Sequence, residues 1–107
     1  MIEEKRRHAR APVDLPVAFV MKKGDAEVRG EGVGTDISIG GMYIQTDAAV
    51  LFGAEVLMRV RLRSATHDYG EFDLPGVVRW VRKGGMGVQF GLIGAHETHA
   101  ITELSRA

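Results

Sequence analysis

The stretch EVLMRVRLR, residues 55–63, alternates apolar and charged side chains with a period of two residues. Successive side chains of a β-strand point to opposite faces, so this period is typical of a strand with one buried and one solvent-facing side. The solvent-facing side carries the three arginines of the stretch, and Leu57 lies on the same side. The stretch therefore predicts a β-strand at the border of the core. Its predicted buried face consists of Val56, Met58, Val60 and Leu62.

Other stretches of the same kind, separated by turn residues, predict five further strands on both sides of this one. Pro16 favours an edge strand or a bulge at the start of the first strand, and Pro75-Gly76 favours a break or bulge in the fifth. Residues 47–53 are predicted to form a compact connection with at most one helical turn, and residues 64–70 a loop. The other predicted strands cover about residues 13–22, 27–36, 42–46, 71–83 and 87–91.

The C-terminal residues, about 95–106, place Ile101 and Leu104 at helical spacing and predict a short terminal helix. Six short strands with glycine-rich turns, followed by one helix, indicate an all-β fold with a C-terminal helix, built as a small six-stranded antiparallel β-barrel. A chain of 107 residues that is 45% hydrophobic and 26% charged is typical of one globular domain.

The charge of the chain is balanced, with 14 basic and 14 acidic residues. Proteins that bind nucleic acids nonspecifically usually carry a strong excess of basic residues, so nonspecific nucleic-acid binding is disfavoured. The sequence has no apolar run of the roughly 20 residues that a membrane helix needs, and no signal-peptide pattern. It has no cysteine, which excludes disulfides and thiolate metal sites. We therefore expect a cytoplasmic protein without membrane insertion.

Positive charge is nevertheless concentrated in three places. The first is KRRHAR, residues 5–10, which we interpret as part of an exposed basic arm over residues 1–11. The second cluster is interpreted as the solvated face of a strand, with a partner surface as the alternative, and the third is noted as a local positive patch. Trp80 lies in the third cluster and is predicted to pack in the core or at the barrel mouth, with contact to a ligand or partner as the alternative. The second and third clusters are Arg59, Arg61 and Arg63, and Arg79, Arg82 and Lys83.

The sequence has no pattern typical of catalysis or metal binding. His96 and His99 are three residues apart on the predicted helix, but no third metal ligand is evident. Ser38 does not lie in the G-x-S-x-G sequence of a nucleophile elbow, and the chain has neither a P-loop nor a dinucleotide-binding fingerprint. We therefore predict that the protein is not an enzyme and holds no metal.

A turn between two predicted strands, DISIGG at residues 36–41, has the chemistry of a small binding site. Its backbone N–H groups can bind an anion, and Ser38 can donate its hydroxyl. Asp36 only accepts hydrogen bonds, so it suits the N1–H and N2–H₂ donors of guanine rather than a phosphate. Gly41 allows a positive φ or the close approach of a ligand. The alternative is a tight turn in which Asp36 and Ser38 satisfy their own backbone.

Two arginines of the N-terminal cluster, Arg6 and Arg10, are four residues apart, with Arg7 between them. A guanidinium fork matches phosphate oxygens and the O6/N7 edge of guanine, and its plane can stack on a base. A solvated basic leader is the alternative for this cluster taken alone. Together with Asp36, the arginines suggest a site for a guanine nucleotide with more than one phosphate.

The pairing of R-x-x-x-R, from Arg6 to Arg10, with D-x-S-x-x-G, from Asp36 to Gly41, resembles the PilZ domain, the bacterial receptor module for cyclic di-GMP. The segments RAPVDLPV, GGMYI and GVVRWVRKGGMGVQF also resemble the usual strands of that family. The resemblance covers about residues 4–93. Both motifs occur in the family's order and on its strand pattern.

The resemblance implies a six-stranded split barrel over residues 12–107 that binds cyclic di-GMP, with no other cofactor, on its outer surface. The arm, residues 1–11, would be mobile without ligand and would fold over it on binding. The outer arginines would grip phosphates and guanine acceptors, the middle one would stack or assist, the acid and the serine would hold a guanine edge, and the glycines would let the backbone close in. The implied ligand-binding residues are Arg6, Arg7, Arg10, Asp36, Ser38, Gly40 and Gly41.

The resulting hypothesis is a stand-alone, non-enzymatic receptor of this second messenger, a monomer or weak homodimer. It would signal to a protein partner in motility, exopolysaccharide synthesis or another pathway regulated by cyclic di-GMP. Whether it binds one ligand molecule or an intercalated pair stays open. An adaptor of the same fold that does not use nucleotide is the main alternative. A small-barrel binder of RNA or single-stranded DNA is disfavoured by the few aromatic residues and the zero net charge.

Overall fold

The computed structural model describes residues 10–106, which form six antiparallel β-strands followed by one α-helix. The strands close into a barrel in the order β1-β2-β3-β6-β5-β4, because β4 also pairs with β1. The predicted all-β class, the strand number and the C-terminal helix are therefore confirmed. The elements are β1 Ala11–Lys23, β2 Ala26–Ser38, β3 Gly41–Gln45, β4 Glu55–Arg63, β5 Asp68–Arg82, β6 Gly85–Phe90 and α1 Ala95–Arg106.

The barrel interior is the hydrophobic core, and β4 shows how the sequence pattern builds it. Its even-numbered residues are buried and its odd-numbered residues are exposed, as the alternation predicts. Met58 lies at the middle of the strand and has no exposed surface, whereas its neighbour Leu57 is 51% exposed. The remaining buried residues of this strand are Val56, Val60 and Leu62.

The helix α1 packs against β1, β2 and β4 and adds its apolar side to the core. Ala100, Ile101 and Leu104 are buried there. Glu97 in the first turn and Arg106 in the last turn have the charges that the helix dipole favours at each end. Within residues 10–106, no helix has both the length and the apolar character needed to cross a membrane.

At Pro16 the sequence predicts either an edge strand or a bulge at the start of β1, and the structure shows the bulge. The strand is not an edge, because it pairs with β2 on one side and with β4 on the other. A register shift lies between Pro12 and Leu15 in the pairing with β2, which confirms a bulge. Pairing with β4 begins only at Val17, opposite Val60, so the missing N–H of Pro16 removes no bond from that ladder.

The break or bulge predicted at Pro75-Gly76 is wrong, because β5 runs through these residues without a register shift. The Pro75 carbonyl accepts a hydrogen bond from the Gly91 N–H at 2.9 Å. The irregularity of this strand lies further on, between Val78 and Trp80. Its position matters for the site described below.

The connection over residues 47–53 contains bends and a turn but no helical turn. The buried Thr46 explains this path, because its hydroxyl donates to the Glu31 carbonyl at 2.7 Å and accepts from the Ala48 N–H at 3.1 Å. The chain is thereby held against β2 as it leaves β3.

The loop predicted over residues 64–70 is shorter than expected, because β5 already begins at Asp68. The Ser64 N–H donates to the His67 carbonyl at 2.8 Å and closes the turn. The Ser64 hydroxyl accepts from the His67 N–H at 3.1 Å, so a single serine organises the connection.

A pair of substitutions on β4 tests the assignment of its two faces. Met58→Ala should lower the free energy of unfolding by about 2–5 kcal/mol, because it removes a fully buried side chain and leaves a cavity. Leu57→Ala is the control on the same strand and should change it by no more than about 1 kcal/mol, because half of that side chain is already in water. Urea denaturation measures both values. Equal losses for the two variants would contradict the inward and outward assignment.

Candidate ligand-binding site

The structure brings Arg10 and Asp36 together, although they are 26 residues apart in the sequence. Arg10 Nη1 donates a hydrogen bond to Asp36 Oδ1 at 2.6 Å, with the two side chains 27% and 36% exposed. The pairing of β1 with β2 causes this contact, because it sets Ala11 opposite Ile37 and so places the residue before β1 beside the end of β2. Because both side chains are partly shielded from solvent, this charge-assisted hydrogen bond is stronger than an ion pair between fully exposed side chains.

This ion pair lines a pocket with a volume of ≈ 340 Å³ on the outer surface of β2, β3, β6 and β5. Volumes of about 300–1,000 Å³ are usual for small-molecule sites, so the pocket is at the small end of that range. Two arginines and one carboxylate give its described lining a net positive charge, which favours an anionic ligand. We call it the Arg10–Asp36 pocket. Its lining residues are Arg10, Asp36, Met42, Tyr43, Trp80, Arg82, Gly87 and Val88.

One row of residues across four neighbouring strands forms the centre of this surface. Asp36 on β2 is opposite Tyr43 on β3, Tyr43 is opposite Gly87 on β6, and Gly87 is opposite Trp80 on β5. Residues paired in this way share one face of a sheet. An acid, a phenol and an indole therefore point to the same side of the barrel, with a glycine between the two aromatic rings.

A β-bulge turns Trp80 to the outer surface. Val78 is opposite the buried Val88, whereas Arg79 and Trp80 together oppose Gly87. Without the extra residue, Trp80 would be opposite Met86, which has no exposed surface and faces the core. The bulge leaves Trp80 57% exposed, so a position in the core is wrong, whereas packing at the barrel mouth and contact with a ligand or partner stay predictions.

A second bulge, on β2, turns Asp36 to the outer surface at the other end of the row. Gly34 is opposite Ile44, and Thr35 and Asp36 together oppose Tyr43. In an unbroken ladder Asp36 would be opposite the buried Met42, where a carboxylate would need a buried partner. The bulge places the acid on the outer face instead.

The turn after β2 is organised by Ser38. This side chain is only 3% exposed, and its hydroxyl accepts a hydrogen bond from the Gly40 N–H at 3.1 Å. The Gly40 carbonyl accepts from the Phe90 N–H at 2.9 Å, which ties the turn to the end of β6. For Ser38, the structure thus corresponds to the alternative of a turn that satisfies its own backbone.

Gly41 is required by packing between strands rather than by an unusual backbone angle. Its φ is not in the left-handed region, so the expected use of a positive φ is wrong here. A Cβ at this position would overlap the carbonyl oxygen of Val88 on β6. In the described structure, the absence of a side chain at Gly41 therefore allows the neighbouring strand β6 to approach β3 closely.

Glycines on β6 also leave room for two aromatic rings of the pocket. A Cβ on Gly87 would overlap the indole ring of Trp80, and one on Gly85 would overlap the phenol of Tyr43. The Arg82 guanidinium carbon lies 5.8 Å from the centroid of the Tyr43 ring, within the range of a cation–π contact. Sequence reasoning assigned no site role to Tyr43, Arg82 or Gly87. Their cross-strand register was the missing information.

Two arginines on the outer face of β4 are paired with acidic neighbours. Arg59 Nε donates to Asp73 Oδ1 at 2.9 Å, and this hydrogen bond lowers the pKa of the Asp73 carboxyl. Arg61 Nη1 donates to both carboxylate oxygens of Asp68 at 3.0 Å. This face of β4 is therefore exposed to solvent, as interpreted, and within residues 10–106 two of its three arginines are ion-paired. In the part of the chain that the structure describes, no group of histidine, aspartate or glutamate side chains could hold a metal.

The seven predicted ligand-binding residues thus fall into three groups. The pocket contains Arg10 and Asp36. Beside it, Ser38 ends β2, Gly40 lies in the turn and Gly41 begins β3. Arg6 and Arg7 lie outside the described residues, as does most of the predicted arm. Ala11, predicted as the last residue of that arm, is the first residue of β1 and is buried.

The fold and the pocket define a small antiparallel barrel with a mixed basic, acidic and aromatic surface site. The model of the PilZ domain family matches residues 4–107, and the chain belongs to this family. The predicted resemblance is thereby confirmed over nearly the whole chain. No curated protein matches the sequence significantly.

Solved structures show the same fold at low sequence identity. The inhibitor of motility MotI/DgrA from Bacillus subtilis has a TM-score of 0.72 at 20% identity, over 97% of this chain and 51% of its own. The chain therefore spans about half the length of that protein. The PilZ domain of YcgR from Escherichia coli with c-di-GMP has a TM-score of 0.68 at 17% identity, over 96% of this chain and 93% of its own.

A third similar structure is the PilZ domain of CeSA from a cellulose-synthesizing bacterium. It has a TM-score of 0.61 at 21% identity and matches over 86% of this chain and 89% of its own. At these identities the likeness concerns the fold. The position of the pocket residues follows from the register of this chain itself.

Replacing Gly41 tests its packing role without any ligand. Gly41→Ala should lower the free energy of unfolding of the ligand-free protein by about 1–3 kcal/mol, because the added carbon forces β3 and β6 apart. Gly91→Ala is the matched control, since its Cβ would lie 3.8 Å from the Pro75 carbonyl oxygen, an ordinary contact. It should change the value by no more than about 0.5 kcal/mol. A Gly41→Ala protein as stable as this control would contradict the packing role.

Proposed function

We propose that the protein is a non-enzymatic receptor that binds cyclic di-GMP in the Arg10–Asp36 pocket and passes the signal to a protein partner. The observation that carries this proposal is the contact between Arg10 and Asp36, which brings the second arginine of R-x-x-x-R and the acid of D-x-S-x-x-G into one pocket. PilZ domains are regulatory receptors of c-di-GMP, and the similar YcgR domain was solved with this ligand. Both facts support the same ligand for this chain.

The chemistry of the two side chains is complementary to different parts of a guanine nucleotide. The Arg10 guanidinium suits phosphate oxygens or the O6/N7 edge, and the Asp36 carboxylate suits the N1–H and N2–H₂ edge. Arg10 occupies Asp36 Oδ1, and Oδ2 accepts no hydrogen bond from residues 10–106. A guanine could therefore use the second oxygen while the arginine still orients the carboxylate.

The proposal assigns two roles to residues outside the pocket. Ser38, Gly40 and Gly41 hold the turn that carries the end of β2, and they would contact the ligand from there. The arm, now limited to the residues before β1, would close over the ligand with Arg6 and Arg7 as further contacts. Its last residues support this, because Arg10 already faces Asp36. The signalling to a protein partner and the cytoplasmic location stay predictions.

Isothermal titration of cyclic di-GMP into the purified chain tests the proposal. Binding should be micromolar or tighter, and Arg10→Ala should weaken it about 10- to 100-fold, as expected for a lost charge-assisted hydrogen bond. Arg59→Ala is the matched control, because it also breaks an Arg–Asp pair. Its strand, β4, is three strands from β3 in either direction around the barrel. GTP, with one base and no ring of phosphates, should bind much more weakly.

Two results would contradict the proposal. Absence of heat and of any thermal shift with cyclic di-GMP would exclude the ligand and favour the nucleotide-independent adaptor. Equal weakening by Arg10→Ala and Arg59→Ala would show binding governed by overall charge rather than by this pocket.

A further inference from the structure

We propose that Trp80 is a stacking surface for one guanine base of the ligand, with Arg82 as a second cation of the same pocket. The inference deepens the proposed function and rests on it. It adds Trp80 and Arg82 to the binding residues, at the opposite end of the row from Asp36. The exposed indole and its position supply the chemistry, because every nucleobase has a π-face that can stack on an aromatic ring.

The first support is the cost of the exposed indole to the fold. Because the large side chain of Trp80 is 57% exposed, it stabilises the fold much less than a buried indole would. The bulge that turns it outward also interrupts the β5–β6 ladder. An unbroken register would instead point Trp80 to the interior, opposite the buried Met86. A ligand that covers the indole would recover the burial.

The second support is the matching bulge on β2. It acts on Asp36 in the same row, three strand positions away from Trp80. Two irregularities on different strands therefore deliver two side chains to one surface. Bulges are frequent next to binding sites, where they re-aim a side chain.

The third support is the environment of the indole. Its ring lies over Gly87, where the absence of a side chain lets it lean onto the strand backbone. This contact holds the ring against the sheet within the pocket that also contains Arg10 and Asp36. Within residues 10–106, Arg82 makes no ion pair and lies over the Tyr43 ring. A cation placed in this way suits the phosphates that link the bases.

Trp80 is the single tryptophan of the chain, so its fluorescence reports directly on this position. Titration of cyclic di-GMP into the full chain should quench the emission, because a stacked base lies against the excited ring. The quenching should saturate at the same Kd that titration calorimetry measures. Nucleotide binding in the calorimeter without any change in emission would overturn the inference.

Substitutions separate stacking from simple apolar contact. Trp80→Ala should weaken cyclic di-GMP binding about 5- to 150-fold, the range expected for one lost base–aromatic stack. Trp80→Leu should lose nearly as much, because it keeps apolar volume but has no ring, and Trp80→Phe should keep most of the affinity. Leu57→Ala, which removes an exposed apolar side chain on β4, is the control and should bind like the wild type. Unfolding curves of all four variants check that the barrel is intact.

The outcomes for this inference and for the proposed function are distinguishable. If Arg10→Ala weakens binding while Trp80→Leu binds like the wild type, the receptor proposal stands and the stacking surface is wrong. The exposed indole would then be better explained as a contact for a protein partner. If the wild-type chain does not bind cyclic di-GMP at all, both proposals fall.

Discussion

The closed pairing of the six strands decides which way every strand residue faces. A strand with partners on both sides has a fixed register, and a slip of one residue would turn its whole apolar face to water. The interior of this barrel is filled by apolar side chains such as Met58, Ile44 and Val88, each at most 1% exposed. A charged side chain there would be buried without a partner. Residues that bind a polar ligand must therefore occupy outward positions.

The two bulges reconcile this constraint with a binding surface. Asp36 and Trp80 stand at positions that an unbroken ladder would turn inward, and one extra residue before each of them reverses the direction. The disturbance is local, because normal pairing resumes at Ile37 and at Val81. Between them, β3 and β6 keep a regular ladder and carry Tyr43 and the glycines. The core and the pocket thus come from one sheet without competing for the same positions.

This division explains how much the sequence could predict. The β4 face and the terminal helix follow from local periodicity, and the structure confirms both. Arg10 and Asp36 could be selected because their side-chain chemistry and motif spacing are visible in the chain. The outward direction of Trp80 could not be predicted, because a bulge depends on which strand lies opposite and β5 pairs with β6 through it. The same reason hides Tyr43 and Arg82, whose contact joins β3 to β5 across β6.

The D-x-S-x-x-G segment contributes both to the folding of the barrel and to the pocket. The motif spacing alone does not show which residue serves which purpose. Ser38 and Gly41 hold the turn and the approach of β3 to β6, so they serve the barrel itself. Asp36 alone of these three lines the pocket. Its loss would remove the acceptor while leaving the ladder intact, whereas loss of the glycine would disturb the ladder first. In a barrel of this kind the serine and the glycine would be useful for folding even if no ligand were bound. The acid, paired with Arg10, is therefore the feature on which the proposed ligand site depends.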